Sequence, residues 1–341
     1  MRIRQAVVMV GGKGTRLRPL TDTRPKPTLP VMDRPCLSYL LESLARGGIE
    51  KVILACGYRP EEMAAAIGDG SREGLEIEYA YEDTPMGTAG AIKLLEKDLD
   101  EVFVAANGDV FADMDLRKEI EEHERTKASL TISLTRVRDP SEFGIARLDG
   151  TGRILEFREK PKTKEEQFSD LANAGVYVVN KDVLRYVPEG KMYDFSKDLT
   201  IDLINKGYRV QGHILDGMWM DVGRPKDLIG ANIAAAERAG RRDHGDAVRG
   251  SEITGTFHLG QGSRMTDSAV SGSVISKECV ISSSNISGSL IMSGCDITGA
   301  EISGSIIGER CTIGEGVRVL DAVIADDTVM TSKKDKGKAV R

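Results

Sequence analysis

The chain contains 341 residues, of which 40% are hydrophobic and 29% are charged, a composition typical of a globular protein with room for two hydrophobic cores. Its net charge of −6 argues against nucleic acid as a bulk partner, because such a partner needs a broad basic surface. No apolar run approaches the roughly 20 residues that span a bilayer. Met1 leads into a predicted strand rather than a signal peptide, so we expect a cytoplasmic protein without membrane contact.

Cysteine and histidine usage predicts no metal site of the zinc type. Five cysteines, an odd number, form no CxxC pair, and four histidines are scattered along the chain. Unpaired cysteines are typical of a reducing compartment.

A glycine-rich loop follows the first apolar run. Residues 6–10 are predicted to form a buried strand, and the backbone can approach a ligand closely at the three glycines that follow, Gly11, Gly12 and Gly14. The cations that come next are Lys13, Arg16, Arg18, Arg24 and Lys26. Four prolines between residues 19 and 30 predict a stiff, extended loop without helix. Bare N–H groups beside cations suit a triphosphate, although a single GxG would be explained equally well by a simple turn.

Predicted strands and helices then alternate along the chain. Further strands are predicted over residues 52–55, 76–81, 102–106, 128–134, 154–160 and 173–179. Helices are predicted over residues 37–44, 61–67, 88–95, 116–125, 199–205 and 228–239. This alternation is typical of an α/β domain with a mainly parallel, doubly wound, Rossmann-like sheet wrapped by helices on both faces. Ligands of such sheets lie beyond the carboxyl ends of the strands, where Gly11, the loop over residues 81–90 and Asp109 are expected to converge.

Two aspartates, Asp109 and Asp221, are in sequence contexts where a bound cation would compensate the charge of the carboxylate. Asp109 follows a buried strand, and a carboxylate that faces anionic substrates needs a hard cation between them, for which Mg²⁺ is the natural choice. Asp221 lies between Met220 and Val222, where its burial needs a compensating partner such as a shared metal ion. The alternative for Asp109 is that it caps the turn after the strand.

Two further segments carry polar groups. The loop over residues 82–90 contains Gly87 and Thr88, and Thr88 has the alternative role of a helix N-cap. Strand alternation places Glu159 and Lys160 on opposite faces, so both serve one site only if the strand ends or twists there. Pro161 favours such an end, and the alternative for the pair is a surface salt bridge.

The run over residues 11–31, GGxGTRLxPLTxxxPKPxxPV, lacks the GK[ST] ending of a P-loop. It resembles the signature of the sugar-phosphate nucleotidylyltransferases, which join a nucleoside triphosphate to a sugar 1-phosphate and release pyrophosphate. The resemblance covers most of residues 2–232. The GTAG segment from Gly87 and the WMDVG segment from Trp219 look more like mannose-1-phosphate guanylyltransferases than like thymidylyl or uridylyl enzymes.

The resemblance implies roles for individual residues. As catalytic groups it gives Arg16 and Lys26, which would bind the triphosphate and steady the leaving pyrophosphate, and Lys160, which would align the attacking phosphate. The nucleotide-binding residues it implies are Gly11, Gly12, Gly14, Thr15, Gly87 and Thr88. The residues it implies for the sugar phosphate are Gly144, Glu159, Lys160 and Asn173. It also implies Mg²⁺ as the cofactor, held by Asp109 and Asp221.

The C-terminal region has a different pattern. After a predicted linker over residues 241–250, aliphatic residues recur every five or six positions through residues 251–330. From Ile275 the steps run 6, 5, 5 and repeat, which predicts a three-sided coil of about 16 residues. Cys279, Cys295 and Cys311 follow at intervals of 16 and are interpreted as small buried residues rather than a metal ladder.

We interpret this region as a short left-handed parallel β-helix, as in hexapeptide-repeat proteins, that follows a nucleotidyltransferase domain over residues 1–240. Because the end coils of such a helix stay open, we expect it to form homo-oligomers. The tail over residues 331–341 is predicted to be disordered.

Several alternatives for function stay open. GTP with mannose 1-phosphate, giving GDP-mannose, is the first hypothesis, and UTP or dTTP with glucose 1-phosphate is the second. The chain could also be a non-catalytic regulatory subunit that binds a nucleotide-sugar. Acyl transfer by the β-helix is a further alternative, with His258 as the only histidine within it.

Overall fold

A computed structural model of the protein describes residues 2–82, 84–240 and 245–331. The chain folds into two compact units: Met1–Gly12 with Leu37–Trp219, and Lys13–Cys36 with Met220–Arg341. The glycine-rich loop therefore belongs mostly to the unit that contains the C-terminal region, which differs from the predicted boundary at residue 240. Residues 241–244 of the predicted linker and residues 332–341 of the predicted tail lie outside the described residues.

The first unit is built on one large sheet. Its described strands are β1 (Gln5–Met9), β2 (Lys51–Cys56), β3 (Glu76–Tyr81), β4 (Val102–Asn107), β5 (Leu130–Arg136), β6 (Gly144–Leu148), β7 (Ile154–Glu159), β8 (Leu171–Asn180) and β9 (Val210–Ile214). The strand order is β7-β6-β8-β4-β1-β2-β3, and β5 lies between β8 and β9. Strands β1 to β4 are parallel, as predicted, while β8 runs antiparallel to β4 and β5.

Both faces of this sheet are buried, which explains why its central strands read as continuous apolar runs. Along β1, Ala6 and Val8 pack in one core and Val7 and Met9 in the other. The described helices of the chain are α1 (Cys36–Arg46), α2 (Pro60–Ile67), α3 (Gly87–Leu94), α4 (Leu116–Thr126), α5 (Thr200–Asn205) and α6 (Pro225–Ala239). Side chains of α1 and α2 pack in the first core and those of α3 and α5 in the second, so the predicted doubly wound architecture is confirmed.

Short elements complete the described part of the first unit. Short 3₁₀ helices cover Glu96–Asp98, Pro140–Glu142 and Lys181–Tyr186, and a short π-helix covers Phe195–Leu199. Two strands that the sequence pattern did not predict, Val110–Met114 and Gly217–Asp221, form a small separate sheet. The last two residues of the second strand, Met220 and Asp221, belong to the second unit. None of the helices in the described ranges is long and apolar enough to cross a membrane.

The C-terminal part of the second unit is a parallel β-helix. Its described strands are Val248–Arg249, Glu252–Leu259, Arg264–Thr266, Ala269–Ile275, Val280–Ser282, Asn285–Ser287, Leu290–Ile291, Asp296–Thr298, Glu301–Ser303, Ile306–Ile307, Thr312–Ile313, Arg318–Leu320, Val323–Ile324 and Val329–Met330. Val270 pairs with Ile286, and Ile286 pairs with Ile302, which confirms the predicted step of 16. Ile302 then pairs with Val319, so this coil contains one extra residue.

Interior ladders hold the coils together. Cys279, Cys295 and Cys311 are free and buried, and each thiol contacts a backbone oxygen. The hydroxyl of Ser273 accepts from the backbone N–H of Ser289, one coil further along, at 3.1 Å. Small polar side chains are thus buried with their hydrogen bonds satisfied, as the interpretation of the cysteines required.

The glycine-rich loop contains short helical turns rather than a fully extended chain. Three 3₁₀ turns cover Thr15–Leu17, Leu20–Asp22 and Lys26–Thr28, and a small hairpin pairs Pro30–Val31 with Arg34–Pro35. The prediction of a loop without helix was therefore wrong. Proline excludes a long α-helix, but its fixed φ suits the start of a short turn.

Candidate functional site

The carboxyl ends of the parallel strands meet at one edge of the first unit. A methyl group placed on Gly11, just after β1, would lie 3.5 Å from the Gly57 nitrogen and 3.8 Å from Glu82 Oε2. Gly57 follows β2 and Glu82 follows β3, so three strand ends come together, and two of them, at Gly11 and Glu82, belong to the set predicted to converge. Gly11 and Gly12 are exposed there and present bare backbone to a ligand.

Asp109 is held at the same edge by its glycine neighbour. Gly108 donates its N–H to the Met9 carbonyl at 2.9 Å, and a methyl group on Gly108 would lie 2.5 Å from Val10 Cγ1. Only glycine lets this turn pack so closely against the end of β1. The backbone of Asp109, a half-buried residue, is therefore held next to the end of β1.

Gly87 and Thr88 begin α3, and a carboxylate from elsewhere in the unit caps this helix. Asp194 Oδ1 accepts from the Thr88 N–H at 3.0 Å, and the Tyr193 carbonyl accepts from the next two N–H groups at 2.9 Å each. The N-cap residue is Met86, so the alternative assignment of Thr88 as N-cap was wrong. Gly87 has a φ of 74°, and a methyl group there would lie 2.7 Å from the Tyr193 oxygen.

The residues predicted to bind the sugar phosphate cluster around a serine. The Ser196 hydroxyl donates to Glu159 Oε2, and Asn173 Nδ2 lies 3.3 Å from the Ser196 oxygen. A methyl group on Gly144 would lie 2.6 Å from Glu159 Oε2 and 2.8 Å from Ser196 Oγ. The structure thus brings Gly144, Glu159 and Asn173 together within the first unit.

A buried tyrosine orients the asparagine of this cluster. Burial raises the pKa of Tyr177, so its hydroxyl stays protonated, and its oxygen accepts from Asn173 Nδ2 at 2.8 Å. Asn173 Oδ1 in turn accepts from the Gly175 N–H at 2.9 Å. With both ends of its amide engaged, Asn173 has one fixed orientation.

The strand that carries Glu159 ends where the sequence required it to end. Strand β7 stops at Glu159, and Lys160 has a left-handed φ of 45°, while its N–H donates to the Phe143 carbonyl at 2.9 Å. The direction of the chain therefore changes between the two residues, and strict strand alternation no longer separates them. Lys160 is exposed and can reach a ligand.

The second unit contains its own charged cluster. Lys26 is buried, at 6% exposure, and its Nζ lies 3.8 Å from Asp221 Oδ1. A methyl group on Gly223 would lie 2.7 Å from Asp221 Oδ2 and 2.9 Å from Arg16 Nη2, so both side chains border this glycine. Gly14 has a left-handed φ of 59° and starts the turn that carries Thr15 and Arg16. Three predicted site residues, Arg16, Lys26 and Asp221, thus lie together.

Asp221 in the second unit and Asp109 in the first are each suited, as single carboxylates, to a magnesium ion that takes much of its coordination from substrate and water. Within residues 2–82, 84–240 and 245–331, no group of three or more carboxylate, histidine or cysteine side chains could hold a metal ion. Mg²⁺ is commonly held by one or two carboxylates, with phosphate oxygens and water supplying the rest. Asp221 is 32% exposed and can contribute a hard oxygen ligand in this way.

Comparison with known protein families decides the identity of the fold. The nucleotidyl transferase family matches residues 5–238, and the GlmU-like C-terminal hexapeptide family matches residues 257–338. The chain belongs to the nucleotidyl transferase family. Its C-terminal coils form the left-handed parallel β-helix of hexapeptide-repeat proteins, as predicted.

Individual relatives carry different substrate names. A mannose-1-phosphate guanylyltransferase from Mycobacterium tuberculosis is 39% identical over 66% of this chain and 62% of its own length. A UTP--glucose-1-phosphate uridylyltransferase from Synechocystis is 32% identical over 65% of this chain and 61% of its own length. A glucose-1-phosphate thymidylyltransferase from Streptomyces griseus is 31% identical over 82% of this chain and 84% of its own length. The chain therefore spans somewhat less than two thirds of the first two relatives.

A solved structure supports the same fold. A Bacillus anthracis protein, provisionally assigned as a glucose-1-phosphate thymidylyltransferase and crystallised with sucrose, superposes with a TM-score of 0.62. The two chains are 26% identical, and the match covers 68% of this chain and 95% of that one.

Sequence reasoning missed several residues of these clusters. Ser196, Asp194 and Gly223 each touch a predicted site residue, yet Ser196 and Asp194 lie in a segment without a quoted motif. Gly223 belongs to the WMDVG run, which was a usable signal. His258 is buried and its Nε2 lies 3.0 Å from Asp33 Oδ2, so it takes part in a contact within the second unit.

Proposed function

We propose that this protein transfers a nucleotidyl group from a nucleoside triphosphate to a sugar 1-phosphate and releases pyrophosphate. The observation that carries the proposal is the cluster of Arg16 and Lys26 around Asp221 and Gly223, within the region matched by the nucleotidyl transferase family. Two cations beside one carboxylate are suited to a polyphosphate with a bound cation.

The reaction needs no protein nucleophile. An oxygen of the sugar phosphate is already ionised and attacks the α-phosphorus, while the bond to the pyrophosphate leaving group breaks. The protein positions the reactants and neutralises charge. Arg16 and Lys26 bind the triphosphate and stabilise the leaving pyrophosphate. Lys160 aligns the attacking phosphate, and Glu159 and Asn173 accept and donate hydrogen bonds to sugar hydroxyls beside Gly144.

The nucleotide is bound through backbone and small side chains. Gly11, Gly12, Gly14 and Thr15 approach the phosphates, and the start of α3 at Gly87 and Thr88 borders the base. Asp109 and Asp221 would hold Mg²⁺. Bound there, the ion would neutralise charge on the α-phosphate and so lower the barrier to attack.

Within this reaction we propose GTP and mannose 1-phosphate as the substrates, with GDP-mannose as product. Support comes from the GTAG segment at Gly87 and from the M. tuberculosis guanylyltransferase at 39% identity. The uridylyltransferase and thymidylyltransferase relatives support UTP or dTTP with glucose 1-phosphate as the second candidate.

One assay tests both the reaction and the substrates. Purified protein with Mg²⁺ is offered four triphosphates against mannose, glucose and N-acetylglucosamine 1-phosphates, and pyrophosphate release is measured. We expect release with GTP and mannose 1-phosphate to exceed that of every other pair. Arg16→Ala should abolish release, whereas Arg18→Ala should not, because exposed Arg18 pairs only with exposed Asp22 among the ion pairs that the structure describes for it.

Two other results would change the proposal. A higher rate with UTP or dTTP and glucose 1-phosphate would replace the substrate pair and keep the reaction. An absence of pyrophosphate with every pair, together with binding of a nucleotide-sugar in calorimetry, would indicate a regulatory subunit instead.

We also propose that the β-helix mediates homo-oligomerisation in the cytoplasm. Val329 in its final described strand is 64% exposed, and an exposed apolar side chain in an end coil is suited to contact with another copy. The five free, buried cysteines suit a reducing compartment. Sedimentation analysis tests the assembly, and a mass of one chain at micromolar concentration would contradict it.

A further inference from the structure

Residues of the β-helix form ion pairs with the glycine-rich loop, which carries the cations proposed to bind the triphosphate. Arg24, a cation of the glycine-rich loop to which the proposed reaction gives no role, reaches two carboxylates of the last coils. Its Nη1 lies 2.6 Å from Glu309 Oε1, and its Nη2 lies 2.5 Å from Asp326 Oδ2. The Arg24 side chain is 18% exposed and that of Asp326 is 6% exposed, so this contact is mostly shielded from water.

The receiving carboxylates are themselves held in place. Asp326 Oδ1 accepts from the Glu309 backbone N–H at 2.9 Å, and Asp326 Oδ2 also accepts from the Thr23 hydroxyl at 3.1 Å. Glu309 Oε2 accepts from Arg310 Nη1 at 2.9 Å, so each arm of the Arg24 guanidinium meets a carboxylate that another group also holds. A forked, charge-assisted contact of this kind fixes orientation as well as distance.

A second anchor lies at the other end of the loop. Asp33 Oδ1 accepts from the Lys277 backbone N–H at 2.9 Å, and Asp33 Oδ2 lies 3.0 Å from His258 Nε2. The segment between Arg24 and Asp33 is therefore tied to the β-helix at both ends. It contains Lys26, the buried cation of the proposed triphosphate site.

The link from the first anchor to Lys26 is short and stiff. Only Pro25 separates Arg24 from Lys26, and its ring fixes φ, here at −63°. Lys26 then opens a 3₁₀ turn that is closed by the Thr28 N–H to the Pro25 carbonyl at 3.0 Å and the Leu29 N–H to the Lys26 carbonyl at 3.1 Å. Displacement of Arg24 would therefore pass directly to the Lys26 side chain.

We infer that Glu309 and Asp326 are positioning residues for nucleotidyl transfer, which act through Arg24 to place Lys26 against the triphosphate. This inference rests on the proposed function. It gives the β-helix a part in substrate binding within one chain, beyond the assembly role expected of such repeats. It also predicts that a change at Glu309 or Asp326, about 300 residues from Arg24 in sequence, alters the affinity for the triphosphate and not for the sugar 1-phosphate.

The test is a kinetic comparison of full-length variants. The double variant Glu309→Gln/Asp326→Asn keeps the shape of both side chains and removes their charge. We expect the KM for the triphosphate to rise about tenfold, while the KM for the sugar 1-phosphate stays within about twofold of wild type. The matched control is Glu301→Gln, which removes another β-helix carboxylate whose described ion pair is with exposed Arg318.

A second, more conservative variant, Arg24→Lys, keeps the test valid if the double variant does not fold. Arg24→Lys keeps the positive charge but cannot contact both carboxylates with a planar fork, so it should raise the same KM by a smaller factor. Thermal unfolding of each variant is measured alongside. In addition, hydrogen exchange at the amides of Thr28 and Leu29 should accelerate in the double variant and not in Glu301→Gln.

The outcomes separate this inference from the proposed function. If wild type is active and the double variant and Arg24→Lys both match Glu301→Gln in the triphosphate KM, the inference is wrong and the proposed function stands. If wild type releases no pyrophosphate with any substrate pair, the proposed function fails. In that case the anchoring by Arg24 is tested by hydrogen exchange alone. If the amides of Thr28 and Leu29 exchange at the same rate in the double variant as in Glu301→Gln, the anchoring is also wrong.

Discussion

Gly223 gives a sharp test of the charged cluster because it can be changed without altering any charge. Its backbone lies outside the left-handed region, so alanine is accommodated there without backbone strain. The added methyl group of Gly223→Ala would lie 2.7 Å from Asp221 Oδ2 and 2.9 Å from Arg16 Nη2. Both atoms stand at the far ends of flexible side chains.

The size of the effect follows from these distances. Ordinary contact begins at 3.4 Å, so the Asp221 oxygen must move by at least the difference of about 0.7 Å and the Arg16 nitrogen by about 0.5 Å. A displacement of this order at a reacting centre costs roughly 10- to 100-fold in rate. Since the side chains can move, the melting temperature should change little.

The assay is turnover by pyrophosphate release together with thermal unfolding. The matched control is Gly150→Ala, because a methyl group on Gly150 meets nothing within 4 Å. Turnover of Gly223→Ala within about twofold of the control would refute the reasoning that Asp221 and Arg16 act at positions fixed by this glycine.

Three further predictions concern other groups. Asp109→Asn and Asp221→Asn should each lower turnover at least about a hundredfold with the fold intact, because each removes electrostatic stabilisation of the reacting phosphates; near-normal turnover of either would remove the metal assignment. The Glu119 carboxylate raises the pKa of His213 above its usual 6.5, so stability from this pair is present at lower pH and is lost as the pH rises through the raised pKa. The free energy of unfolding of wild type should therefore fall from pH 6.5 upwards relative to His213→Gln, and identical pH dependence would contradict this. Burial raises the pKa of the Cys56 thiol to about 12, so iodoacetamide at pH 8 should label Cys56 only after unfolding, as read by peptide mass spectrometry.

The parts of the fold that were predictable from the sequence are those with local or repeated signals. Strands β1, β2 and β4 were visible because burial on both faces gives nearly uninterrupted apolar runs between helices. The coil of 16 was visible because stacked coils repeat the same environment at a fixed interval. The end of β7 at Glu159 followed from Pro161.

The parts that were not predictable depend on contacts between distant segments. Strand β9 pairs with β5, which lies about 80 residues earlier in the chain. Neither the length nor the composition of β9 predicts this pairing. The sequence around Thr88 is typical of an N-cap, but in the structure Asp194 accepts from the Thr88 N–H and caps the helix. The Ser196 contact to Glu159 likewise forms between segments 37 residues apart.

The glycine-rich loop shows the same limit most clearly. Its cations predicted a phosphate site, but nothing in the pattern separates Lys26, which lies beside Asp221, from Arg24, which is bound by Glu309 and Asp326. Charge and spacing identify a set of candidates, and the folded chain assigns each member its partner.

The central claim is that one divalent cation, held by Asp109 and Asp221, works with Arg16 and Lys26 to bring two anionic substrates into contact. Diffraction from crystals grown with Mn²⁺ and a non-hydrolysable triphosphate tests it most directly, since the anomalous signal locates the ion. We predict one ion coordinated by both carboxylates and the α-phosphate. An ion bound to the phosphates at a site that neither Asp109 nor Asp221 touches would contradict the claim.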